Sequence, residues 1–153
     1  MSPRLDSVFA HSQFPVSNSP RFAWPVRIYW EDTDAGGVVY HARYLHFFER
    51  ARTEWLRASG VGQQELRAGE GVVFVVHSMD LRFNAPARLD DLLTATVLPL
   101  ERRSASFSVL QELRREPEAR PLVEARVRVA CLDADAFRPR PIPEHLLELI
   151  AKS

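Results

Sequence analysis

Three carboxylates, Glu31, Asp32 and Asp34, fall within four residues, and two glycines and a histidine follow in the run EDTDAGGVVYH that ends at His41. Like charges this close repel, so the cluster is costly unless something pairs or uses it. An apolar alternating segment precedes the run and a long helical pattern follows it. The carboxylates therefore sit beside the free N–H groups and positive dipole end of a helix start, which favour developing negative charge. Such a constellation suits acyl chemistry. A carboxylate acts as nucleophile or as base for a water, helix N-terminal amides hold an oxyanion, and a histidine orients water or moves a proton. The plainer alternative is structural, with Asp32 and Asp34 as turn formers and Asp34 capping the helix.

The elements around the run follow from periodicity. Val26, Ile28 and Trp30 alternate with Arg27, Tyr29 and Glu31, predicting a half-buried strand over residues 24–31. Tyr44, Phe48, Ala51 and Trp55, flanked by Leu45, Phe47 and Leu56, mark one face of a helix from about His41 to Ser59, stopped at Gly60. Four further strands are expected over residues 72–84, 92–100, 105–113 and 123–131, the first presenting His77, Met79, Leu81 and Phe83 on one face. Leu146, Leu147, Leu149 and Ile150 predict a short C-terminal helix after Pro143. One apolar helix and one mainly antiparallel sheet must bury their faces on each other, which predicts an α+β fold with the sheet wrapped around the helix.

Composition narrows the function classes. At 153 residues the chain is one domain's worth, and 20 basic against 20 acidic side chains argue against nucleic-acid binding by counterion release. The lone Cys131 excludes an intrachain disulfide and a cysteine zinc site, and fits a reducing, cytoplasmic setting. His41 and His46 lack a third ligand at sensible spacing, so no metal is expected. No stretch approaches the roughly 18–20 apolar residues of a membrane helix. Residues 1–21 read as a flexible N-terminal tail, leaving 22–153 for the folded domain.

VRIYWEDTDAGGVVYHARYLHFFERARTEWLR, with FVVHSMDLRFNAPARLDD downstream, resembles the hot-dog-fold thioesterases of the 4-hydroxybenzoyl-CoA thioesterase superfamily. Within that superfamily the likeness is to the YbgC-type, Tol-Pal system-associated acyl-CoA thioesterases, over about residues 22–150. The resemblance implies a hot-dog fold, a five-stranded antiparallel sheet around one long central helix, in dimers or tetramers with sites at subunit interfaces. It implies an acyl-CoA or acyl carrier protein substrate, no cofactor, Asp34 as the catalytic carboxylate and His41 as a second active-site residue. Arg43 departs from the superfamily pattern, which often has Asn there.

Neighbouring residues carry two readings each. Tyr40 lines the thioester pocket or belongs to the core, Thr33 orients Asp34 or suits the turn, and Asp32 fixes the loop rather than reacting. Arg103 and Ser104, after Arg102 in a strand turn, suit CoA phosphates or form a solvated turn. His46 and His77 are read as a helix-surface and a strand residue, and Cys131 as a small buried hydrophobe. The alternative to an enzyme is a binding protein for acyl carrier protein or an envelope partner, using the same pocket.

Overall fold

The computed structural model describes residues 21–152. Strand β1 (Phe22–Arg27) leads through the carboxylate run to helix α1 (Arg43–Ala58), and a short helix α2 (Gln63–Glu70) leads to β2 (Val72–Phe83). Strands β3 (Leu92–Arg102), β4 (Ser106–Arg114) and β5 (Val123–Asp133) follow, then helix α3 (Glu144–Lys152). All pairings are antiparallel, in the order β1-β3-β4-β5-β2, so β1 and β2 are the sheet edges.

Alternation along the strands decides which face meets the helix. Val26 of β1, Leu93, Ala95 and Val97 of β3, and Val123, Ala125, Val127 and Val129 of β5 are all buried in one core. Helix α1 fills the hollow with Phe47, Phe48, Ala51, Trp55 and Leu56. Phe47 and Phe48 are fully buried, and each contributes on the order of 1.5–3 kcal/mol by leaving water. This is the expected α+β hot-dog arrangement.

Several expectations change. The strand over residues 24–31 stops at Arg27, because Ile28 finds its backbone partners in the loop at Asp90 and Asp91 and the chain then turns into a single 3-10 turn at Trp30–Asp32. Trp30, expected to be half-buried, is 79% exposed. Leu45, placed on the apolar helix face, is 39% exposed. On β2 a bulge at His77 switches the alternation: Phe74 and Val76 face the helix before it, Met79, Leu81 and Phe83 after it, and His77 itself is exposed. Helix α2 is an addition to the expected elements, since only Leu66 of its eight residues is buried and one apolar residue makes no periodic pattern. The tail expectation for residues 1–20 lies outside the described residues. Arg21, counted with the tail, forms an ion pair with buried Glu112 on the outer sheet face.

Candidate active site

The carboxylate run folds into a tight hairpin. Asp34 N–H donates to the Val38 carbonyl at 2.9 Å, Gly37 N–H to the Asp34 carbonyl at 3.0 Å, and Tyr40 N–H to the Asp32 carbonyl at 2.9 Å. Gly37, at φ +79°, supplies the left-handed turn that a side chain resists. The hairpin is anchored from behind: Val39 N–H donates to the Ala87 carbonyl, and Val38 bridges to Arg88 in the β2–β3 connection.

Its two aspartates have opposite environments. Asp32 is 2% exposed. One of its oxygens accepts Arg43 Nε at 3.0 Å and Nη2 at 2.7 Å, and the other accepts the Tyr29 N–H at 2.8 Å. Arg43, the departure from the superfamily pattern, is thus the clamp that neutralises the buried carboxylate. Asp34 stands exposed near the tip, with Oδ1 accepting the Gly36 N–H at 2.8 Å. Its Oδ2 has no partner among the described residues. A Cβ on Gly36 would lie 3.1 Å from Oδ1, so glycine there leaves the carboxylate room to lie against the backbone.

The chain then enters α1. Arg43 N–H turns back to the Tyr40 carbonyl at 2.8 Å. The N–H groups of His41 and Ala42, just before the helix, donate to no acceptor among the described residues. His41 is exposed, three residues beyond Val38 on the returning strand, and its ring lies 4.6 Å from that of Tyr40. The hairpin therefore brings Asp34, His41, Tyr40 and two free amides to one end of α1.

Tyr40 is 46% exposed, which removes the core reading for it. The Thr33 hydroxyl donates to the Trp30 carbonyl at 2.9 Å, tying down the 3-10 turn rather than Asp34. Asp32 fixes the loop, as its sequence position suggests. His46 is exposed on α1. Cys131 is fully buried, and burial pushes its thiol up in pKa and keeps it protonated.

Arg103 and Ser104 lie at the other end of β3, whose 11 residues span about 36 Å at ~3.3 Å per residue. Within one protomer they do not meet Asp34. Arg103 instead borders a cleft on the outer sheet face with Arg128, Ser78 and Ser108, while the Ser104 carbonyl accepts the Ile142 N–H ahead of α3. Arg102 donates to the Leu147 carbonyl of α3.

Sequence reasoning missed Tyr44. It reads as a core position of α1, and it is 3% exposed, but with His41, Val39, Phe83 and Asn84 it also lines a cavity of about 290 Å³. Its hydroxyl accepts the Ala87 N–H at 3.1 Å. Burial raises its pKa above the ordinary value, and the charge of Asp34 acts on it in the same direction. The signal available in the sequence was its place three residues after His41, on the same helical face.

The chain also resembles known proteins along most of its length. The family model described as the thioesterase-like superfamily matches residues 28–150. The chain is 47% identical over 130 residues to the acyl-CoA thioester hydrolase YbgC of Escherichia coli O6:H1, covering 85% of this chain and 96% of that protein. It is 46% identical over 125 residues to the acyl-CoA thioesterase YbgC of Haemophilus influenzae, covering 82% and 90%. Among solved structures, a probable thioesterase from Bartonella henselae is 38% identical with a TM-score of 0.77, covering 81% of this chain and all of that one.

Proposed function

Because this chain belongs to the thioesterase-like superfamily and, within it, to the YbgC acyl-CoA thioesterases, we infer that it hydrolyses acyl-CoA thioesters to a carboxylic acid and CoA at the Asp34 hairpin. The observation that carries this reading is an exposed carboxylate with one free oxygen on a hairpin that leads into a helix start whose His41 and Ala42 N–H groups have no acceptor among the described residues. The thioester carbonyl oxygen sits against those two amides, which stabilise the charge that develops on it. Asp34 Oδ2 either attacks the carbonyl carbon or takes a proton from a water that does so. In both cases the C–S bond breaks, CoA leaves as the thiolate, and water supplies the hydroxyl of the acid and the proton for the thiol. His41 hydrogen-bonds the water or the leaving sulfur, and Tyr40 flanks it.

The working unit is a homo-oligomer paired through β2. Strand β1 is six residues long and carries Pro25, which blunts it as an edge. Strand β2 has 12 residues and no proline, and it leaves Val76 and Phe83 44% and 47% exposed. A two-fold copy on that edge runs antiparallel, so the Phe83 end of each β2 lies beside the opposite end of the other. CoA phosphates from a substrate held by another protomer meet Arg103 and Ser104. We place the enzyme in the cytoplasm; among the described residues no helix is long and apolar enough to cross a membrane.

The test is release of free thiol from a panel of acyl-CoAs and the matching acyl carrier protein thioesters by purified protein, with its mass in solution measured alongside. Faster turnover of acyl-CoA by a species larger than the 17.5 kDa chain is expected. Binding without thiol release from any member would replace the enzyme by a binding protein.

A further inference from the structure

Away from the hairpin, α1 and β2 enclose a cavity of about 300 Å³. Trp55, Phe74, Val76 and Phe107 form its apolar walls, the Phe107 ring 5.5 Å from that of Phe74 and 6.0 Å from that of Trp55. One cation faces this space. Arg52 Nη1 donates to Gln111 Oε1 at 2.9 Å, and Gln111 is itself locked, its amide donating to the Phe48 carbonyl at 3.0 Å. Gln111 is fully buried, so it holds the guanidinium in one place.

What Arg52 lacks is a counter-charge. A guanidinium carries five N–H donors, and the acceptor that Arg52 meets among the described residues is a neutral amide. Among the described residues no carboxylate lies within ion-pair distance of it. Glu49, one turn earlier on the cavity rim, acts on it only through space. Arg52 is half-buried, and burial lowers its pKa to about 10. Holding a partly desolvated cation without a paired anion has a cost, and a ligand bearing an anion relieves it.

We propose that this cavity receives the far end of the acyl group and that Arg52 is a specificity-determining residue, selecting acyl chains that end in a carboxylate. The inference rests on the hydrolase reading and on the β2-paired copy above. In that antiparallel pairing, Phe83, which lines the His41 cavity of one copy, runs toward the Phe74–Val76 stretch that lines this cavity in the other. A thioester held at one Asp34 thus points its acyl group along the seam toward the other copy's Arg52. The apolar walls take the methylenes, and the guanidinium fork takes the carboxylate in a bidentate pair. At about 300 Å³ the space is at the small end of ligand sites, suited to a short chain.

The experiment compares adipoyl-CoA with hexanoyl-CoA, equal in carbon number and differing in the terminal carboxylate, on wild type, Arg52→Met and Arg52→Lys. Wild type is expected to favour adipoyl-CoA in kcat/KM by about 10- to 100-fold, the size of a charge-assisted hydrogen bond. Arg52→Met should bring that ratio to unity or below, and Arg52→Lys should keep part of it. Equal kcat/KM for the pair in wild type overturns the inference whether or not the variants fold. A preference that survives Arg52→Met overturns it as well. Hydrolysis of neither substrate, nor of any other acyl-CoA, removes the hydrolase reading, a failure distinct from turnover without discrimination.

Discussion

Each end of β3 lies beside a charged turn, and the two turns are built in opposite ways. Before β3, the Asp34 hairpin is closed by backbone hydrogen bonds, docked on the β2–β3 connection and neutralised from beneath by the Asp32–Arg43 pair. After it, Arg103 and Ser104 sit in an open turn closed by the Arg103 N–H to the Ser106 carbonyl, with their side chains exposed. Both stretches look equally polar in composition. The difference shows that charge density does not locate a reactive group. A rigid frame is the better guide to a candidate, because it ties down the buried Asp32 and leaves one oxygen of Asp34 without a partner among the described residues.

Exchanging the roles of the two aspartates is the strongest way to break this comparison. Asp34→Asn keeps the acceptor for the Gly36 N–H but loses basicity and nucleophilicity, so kcat should fall by about 10²-fold or more with the fold intact. Steady-state kinetics read beside circular dichroism check it, and retention of more than about a tenth of kcat would remove Asp34 from the mechanism. Asp32→Asn should do the reverse. It leaves Arg43 without its carboxylate; Arg43 keeps a quarter of its side chain exposed, so the loss is expected below the roughly 3–5 kcal/mol of a fully buried pair. Urea denaturation midpoints measure that loss, and a variant as stable as wild type would show that the clamp does not hold the hairpin.

Most of the fold was legible because alternation and helical spacing carry it: five strands, the long helix and the C-terminal helix stand where periodicity put them, within a few residues at their ends. The misses have local physical causes. Trp30 kept the alternation of the strand before it, but the Asp32 side chain captures the Tyr29 N–H and turns the chain. The His77 bulge inserts one unpaired residue, which no pattern of period two can show. In the site, Asp34 and His41 came from the motif and the resemblance. Tyr44 and Arg43 did not, because a buried tyrosine reads as core and an arginine in a helix reads as solvated until its carboxylate partner is placed in space.

A smaller effect tests whether the hairpin works as a unit. His41→Ala, Asp34→Asn and the double variant form a cycle. If His41 serves the same water or leaving sulfur as Asp34, the single His41 change lowers kcat by about 10- to 100-fold and the double variant loses little beyond Asp34→Asn. Losses that multiply would make His41 an independent wall of the pocket.

Smaller again is the support behind the hairpin. Tyr44→Phe leaves the buried Ala87 N–H without its acceptor, at a cost of about 1–3 kcal/mol near neutral pH. The pH dependence has a definite sign. Burial raises the Tyr44 pKa above its ordinary 10.0, so the folded state holds the proton that the unfolded chain releases. Its contribution is fully present below the unfolded value and fades as pH rises through that value toward the folded one. The advantage of wild type over Tyr44→Phe should therefore narrow in urea titrations above about pH 10. An advantage that grows with pH would contradict the assignment.

The last prediction concerns the open end of β3 and is the smallest. Arg103 is exposed, its charge is screened, and a contact from such a side chain is worth about 0.2–1 kcal/mol. If it meets CoA phosphates, Arg103→Ala should raise KM for acyl-CoA about two- to fivefold, and added salt should erase the difference from wild type. An acyl thioester of N-acetylcysteamine carries no phosphate, so with it the variant and wild type should agree at every ionic strength. A defect that persists with the phosphate-free thioester would mean that Arg103 acts through the sheet or the oligomer and not on the nucleotide. The contrast between the two ends would then be one of catalysis against assembly, since a solvated turn about a strand's length from Asp34 has no other route to turnover.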